Sequence, residues 1–248
     1  MEKACAYCDA PPPFTREHIW PSGFLRRDSF GLKYSGRANK TFRGDLVIAD
    51  VCARCNNGPL SVLDAHACEL YDRRFGKRVE SGSVVTFTYD YSLLMRWLLK
   101  ISYNSARTTG QDVEQLSRYR ETIISPYPCS PVGAAAYLAT VAPVEMLNEE
   151  TGERKRIYPD AARCGPLLLP GVNLENSVVL RCVMINAFYF TLMITRSPDV
   201  DHRQLSSVLS RIPGRPLEFG GRMRVGPPSL PANIALQGIE NWPRPSKK

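Results

Sequence analysis

Two C-x2-C pairs stand near the start of the chain, Cys5-Ala6-Tyr7-Cys8 and Cys52-Ala53-Arg54-Cys55. Such a knuckle turns tightly enough to aim two thiolates at one point. Two knuckles supply the four sulfurs of a closed, tetrahedral Zn2+ site. A redox C-x2-C would account for one pair but not for both. A four-sulfur site holds a fold together and keeps no open position for water. Other chemistry lies between and just after the knuckles: Glu17-His18 inside Thr15–Pro21, then Asn56 and Asn57 directly behind the last cysteine. Carboxylate and amide oxygens suit a hard divalent ion such as Mg2+ or Mn2+. An imidazole can take a proton from water near neutral pH. Each has a plainer role when taken alone: a histidine packed on a strand, an asparagine capping a helix.

Local patterns place these residues on elements. Residues 15–19 read as a short strand stopped by Pro21 and Gly23, and Asp45 to Val51 as a second strand running into Cys52. From Pro59 to Ala67 the apolar spacing is helical, with Asn56 or Asn57 as the expected N-cap. Residues 22–44 read as a loop or an irregular hairpin arm. They carry six Lys/Arg against Asp28 alone, and a phosphate-contacting loop there would use Arg37, Lys40 and Arg43, with Arg54 beside the second knuckle. Asp64 reads as a surface carboxylate and His66 as a helix-face histidine.

The rest is quieter. Residues 80–90 read as a strand, Tyr91–Ala106 as the clearest helix, and Asp112–Thr122 as a second, polar helix. Strands are expected at Tyr137–Val144, Arg156–Tyr158, Val178–Asn186 and Phe188–Thr195. The expected organisation is α+β in two units, residues 1–80 and 81–248, with no catalytic motif in the second. The chain of 248 residues carries a net charge of +8, split as +3 over residues 1–80 and +5 over the remainder. That balance favours an anionic partner without any basic tail. The start lacks an apolar signal core and no apolar run reaches a membrane span, so a cytoplasmic protein with no membrane contact is expected. In a reducing compartment the paired cysteines imply metal. Cys68, Cys129, Cys164 and Cys182 read as ordinary small buried residues.

Taken jointly, residues 3–72 resemble the HNH (ββα-metal) endonuclease family in its zinc-stapled form. The resemblance rests on Cys5/Cys8, Glu17-His18-Ile19-Trp20-Pro21, Asp45-Leu46-Val47, Cys52/Cys55, Asn56-Asn57 and the helix behind them. It implies an N-terminal ββα-metal unit in which His18 is the general base and Glu17 and Asn56 hold a catalytic Mg2+ or Mn2+ ion, with Asn57 as the fallback. At the middle position, where the family usually has asparagine, this chain has Asp45, which accepts hydrogen bonds but cannot donate them as an amide does. The implied activity is phosphodiester hydrolysis in DNA, in a phage, mobile-element or antiviral-defence setting. Residues 81–248 would then supply specificity, a protein partner or homo-oligomer contacts. Two alternatives stand beside it: a non-catalytic zinc-stapled module that binds nucleic acid or protein, and an RNA-cleaving toxin.

Overall fold

The computed structural model describes residues 3–27, 33–35, 40–42, 46–147, 150–159, 162–168, 177–197, 206 and 208–227. Strand β1 (Phe14–His18) is followed by a short helix α1 (Ser22–Arg27) and a small hairpin, β2 (Lys33–Ser35) and β3 (Lys40–Phe42). Strand β4 (Val47–Cys52) then returns antiparallel to β1, pairing Phe14 with Cys52 and His18 with Val47. A bulge between Thr15 and Glu17 shifts the register, which re-aims the side chains beyond it. Asp45, Arg37 and Arg43 lie outside the described residues, and so does the side chain of Lys40.

Behind β4 the chain turns helical at once. Helix α2 (Ala53–Cys55) runs through a wide turn at Asn56–Leu60 into α3 (Ser61–Leu70), and another wide turn at Tyr71–Phe75 ends the run. Gly58, with φ −97° and ψ −110°, kinks it just ahead of Pro59, whose missing N–H and ring would disrupt a straight helix there. Asn56 is therefore not the expected N-cap. It has helical dihedrals, and the residue that precedes the first turn is Cys52, because the knuckle itself starts the helix.

Strand β5 (Val85–Thr88) is shorter than the 80–90 segment suggested, and Asp90 caps the next helix instead, accepting from the Leu93 amide at 2.8 Å. That cap contributes about 1 kcal/mol. Helix α4 (Tyr91–Thr109) stops at Gly110, which takes the left-handed conformation (φ +82°) of a C-terminal cap. It is buried almost all round from Leu94 to Ala106. The expected single helix over 112–122 is two, α5 (Val113–Ser117) and α6 (Arg120–Ile124), separated at Arg118–Tyr119.

The C-terminal part adds β6 (Ala134–Thr140), a hairpin of β7 (Val144–Leu147) and β8 (Arg154–Ile157), β9 (Ala162–Pro166), β10 (Val178–Ile185), β11 (Phe188–Thr195), β12 (Arg215–Pro216) and β13 (Arg222–Val225). Five of these form an antiparallel sheet in the order β12-β6-β11-β10-β9, while β13 pairs with β5. Architecture is thus mixed helix and antiparallel sheet, an α+β arrangement. Strand β10 is buried along its whole length. Its Val179 and Val183 face the core that contains α4, whereas Leu180, Cys182 and Met184 face a second core on the other side. Of the four unpaired cysteines only Cys182 is fully buried; Cys68, Cys129 and Cys164 are partly exposed.

The main core does not respect residue 80. Trp97 of α4 packs against Trp20 and Phe24, with ring centroids 6.1 and 5.9 Å apart, and Phe75 meets Phe87, Phe188 and Phe190. Fully burying each such ring contributes roughly 1.5–3 kcal/mol, so α4 is fixed on Trp20, just behind β1, and on Phe24 of α1 by apolar contact before any polar group is considered.

Candidate functional site

The four sulfurs of Cys5, Cys8, Cys52 and Cys55 lie within 4.8 Å of one another. Tetrahedral sulfurs about 2.3 Å from a zinc ion stand about 3.8 Å apart, and the Cys8 and Cys52 sulfurs are 3.6 Å apart. The donor set and spacing fit Zn2+. Backbone geometry prepares the cluster, since the Cys52 amide donates to the Cys5 sulfur at 3.3 Å. Burial works to raise the Cys8 thiol, but the Ala10 amide and the neighbouring cysteines outweigh it and bring it down to about 7. Burial pushes Cys52 and Cys55 up. Four thiolates crowded this closely repel, so a cation is what lets them ionise together. Arg54 is exposed on this knuckle, and its interaction with Cys8 raises its pKa.

Glu17 and His18 are neighbours on a strand and so diverge. Glu17 turns inward and is 3 % exposed, while His18 is half-buried at the end of β1. The Glu17 carboxylate meets Lys100 of α4, whose Nζ lies 2.7 Å from Glu17 Oε1 and 2.6 Å from Asp64 Oδ1 of α3. Lys100 is fully buried. Asp64 is thus no simple surface carboxylate; it completes a triad that ties β1, α3 and α4 together. Burial raises both Glu17 and Asp64 above the ordinary carboxylate range, with Lys100 pulling them back. Burial also opposes the charge on Lys100, but its two carboxylate partners win and hold the ammonium above its ordinary value. Two carboxylates share one cation. His18 is close enough to Asp64 for its charge to stabilise that carboxylate.

The network continues toward the cysteines. Asn104 donates to Glu17 Oε1 at 3.3 Å, and its own oxygen accepts from Tyr7 Oη and Arg107 Nη2, both at 2.6 Å. Arg107 also pairs with Asp50 of β4 at 2.6 Å and lies over the Tyr7 and Tyr103 rings. Tyr103 donates to the Ala6 carbonyl at 3.1 Å. Helix α4 therefore grips the first knuckle from inside.

Asn56 sits against β1. Its amide nitrogen donates to Thr15 Oγ1 at 2.8 Å and to the Arg16 carbonyl at 3.1 Å, which leaves its amide oxygen as the atom able to face a cation. Asn57 is exposed. His66 is half-buried, burial lowers its pKa, and its Nε2 has no hydrogen-bond partner among the described residues. A cleft of about 720 Å3 runs between β4 and the end of α4, bordered by Trp20, Ile48 and Arg107, but Glu17, His18 and Asn56 do not line it.

No family model, no curated protein and no solved structure matches this chain. What the chain holds is a four-cysteine cluster close enough to bind a metal. Among the described residues no helix is long and apolar enough to cross a membrane.

Sequence reasoning missed Lys100, Asn104 and Arg107. A signal for them exists. Arg96, Lys100, Asn104 and Arg107 recur at helical spacing on an otherwise apolar helix, which is the mark of a polar stripe facing one direction. Arg96, at its start, is spent on the Ile123 and Ser125 carbonyls.

Proposed function

We propose that this protein is a metal-dependent nuclease of the HNH type that hydrolyses phosphodiester bonds in DNA, with a structural zinc at Cys5, Cys8, Cys52 and Cys55. The reading rests on one juxtaposition above others: the Asn56 side chain is bound to the strand that carries Glu17 and His18, across a hairpin closed by the two cysteine knuckles. His18, half-buried at the end of β1 beside Asp64, is the base that takes the proton from an attacking water. Asn56 Oδ1 is the residue oxygen best placed to hold a divalent ion. Such an ion, when bound, would stabilise the charge that develops on the phosphate. Glu17 fits the role of its partner ligand less well, because its carboxylate is buried and engaged by Lys100. In this chain Glu17 holds α4 against β1 through Lys100. Arg54, exposed at the knuckle, is available to a backbone phosphate.

The second reading, a non-catalytic zinc-stapled module that binds nucleic acid or protein, draws on the same triad, since a carboxylate closed off by lysine is what a retired metal site would contain. Incubating plasmid DNA, and separately RNA, with the purified full chain in Mg2+ or Mn2+ beside His18→Ala decides between them. Cutting that His18→Ala abolishes while the protein stays folded supports the nuclease, and the substrate that is cut says whether DNA or RNA is its target. No cutting of either, or equal cutting by the variant, refutes the assignment.

A further inference from the structure

Away from the cysteine cluster, β5, β12 and β13 border an open cleft of about 540 Å3 lined by Val84, Thr86, Arg215, Glu218, Arg222 and Arg224. We propose that this cleft is a second, separate binding site, one that takes a phosphate group through Arg215, Arg222 and Arg224.

The arginines are brought together by strand geometry. On β13, Met223 and Val225 are buried, so Arg222 and Arg224 share the outward face. Arg224 stands opposite Thr86, which lines the same cleft. Arg215 arrives from another sheet, at the register of Leu138, and its Nη1 donates to the Arg224 carbonyl at 3.4 Å.

The backbone between them is pinned. Gly214 has φ +95°, and a Cβ there would lie 2.2 Å from the Leu138 carbonyl oxygen; at Gly221, with φ +66°, it would lie 2.4 Å from that of Tyr89. The Tyr89 hydroxyl donates to the Glu218 carbonyl at 2.9 Å and accepts from the Glu218 amide at 2.8 Å. Leu217 is bonded to Ala136 at 2.8 Å. The strand ends that carry the arginines are thus fixed before any ligand arrives, which lowers the ordering cost of binding.

Charge identifies the ligand class. Several other arginines of this chain are paired with carboxylates, among them Arg27 with Asp72, Arg107 with Asp50, Arg156 with Glu80 and Glu145, and Arg181 with Asp112. Among the described residues Arg215, Arg222 and Arg224 stand in no ion pair, and Glu218 is the one carboxylate on the cleft wall. Three guanidinium groups against one carboxylate suit a multiply charged anion, and their planar forks match phosphate oxygens. The phosphate could belong to a nucleic-acid backbone or to a small free phosphate.

The site is built from residues 84–224 and stands independently of the nuclease reading. The test uses the full, zinc-loaded chain and Arg222→Ala/Arg224→Ala, both exposed positions whose loss leaves the core intact. Fluorescence anisotropy follows a labelled DNA duplex of about 20 base pairs between about 50 and 200 mM salt, and calorimetry follows inorganic pyrophosphate. Duplex contact predicts a salt slope shallower by about 2 in the variant, so that the wild-type advantage shrinks about twelvefold across that salt range. Pyrophosphate binding lost in the variant, with duplex binding unaffected, also supports the site and names the small ligand as its source. Equal behaviour of variant and wild type toward both probes overturns the proposal. A chain that binds duplex through these arginines yet never cuts it would sink the nuclease and leave the cleft standing; a chain that cuts with the arginines removed and binds both probes unchanged would do the reverse.

Discussion

Replacing Lys100 by methionine removes one charge and almost no volume, so its effect isolates the ion triad. The ammonium is wholly buried, with carboxylate oxygens at 2.6 and 2.7 Å. Removing one partner of a buried pair costs about 3–5 kcal/mol, because the charge left behind has no water to turn to. Here two carboxylates are left facing each other, so the upper half of that range is expected at pH 7. For a chain of this size it corresponds to a fall in Tm of about 8–20 °C. The pH dependence distinguishes charge from packing. Lys100 is what pulls Glu17 and Asp64 down, so without it both titrate still higher. A carboxyl group held above its ordinary value in the fold binds protons more tightly there than in the unfolded chain, and stability falls as pH rises through that interval. The deficit of Lys100→Met should therefore be greatest at neutral pH and shrink as pH falls toward the ordinary carboxylate range. In the wild type, the contribution of Lys100 is present below its ordinary value and is lost as pH climbs through its raised one, so the two proteins should also converge at strongly alkaline pH. Urea unfolding with chelated divalent ions, at several pH values, measures this. Adding Glu17→Gln and Asp64→Asn to Lys100→Met should recover much of the loss. A deficit under about 1 kcal/mol, or one that does not change with pH, would refute the argument that uncompensated charge dominates.

Asn104→Ala should destabilise the fold by about 2–4 kcal/mol, since it orphans the Tyr7 hydroxyl and weakens the hold on Arg107 and Glu17, while bound zinc remains; denaturation and metal analysis check the two halves separately. Metal analysis of the wild type should return about one zinc per chain, and Cys52→Ser should lose both the zinc and the folded state. Chelators should strip zinc more readily as pH falls, because protons compete for the sulfurs.

The four-cysteine cluster was legible in the sequence because it depends on spacing alone: two short knuckles declare four candidate ligands wherever the chain between them goes. The strands on either side of it were legible for the same local reason, and the long helix was visible from its apolar rows. Residues that act through distant partners were not. Nothing near Glu17 or Asp64 indicates that a lysine thirty-six positions beyond Asp64 will sit between them, and a carboxylate beside a histidine looks identical whether it faces solvent or an ammonium. Strand β10 hid its two-sided burial for a related reason. An apolar run without alternation carries no information about which layer each residue will join. Asn56 followed a good general rule for caps, and the knuckle overrode it by starting the helix four residues earlier.

The clasp that α4 makes on the first knuckle bears on how this chain can be taken apart. A hairpin and helix joined at a four-cysteine cluster looks like a portable cassette, ready to be grafted onto another protein. Here the cassette has no floor of its own. Trp20 and Phe24 rest on Trp97, Glu17 on Lys100 and Asn104, Tyr7 on Asn104 and Arg107. Any transplant would have to carry residues 91–109 along with the cysteines, or it would deliver the staple without the surface it was fastened to.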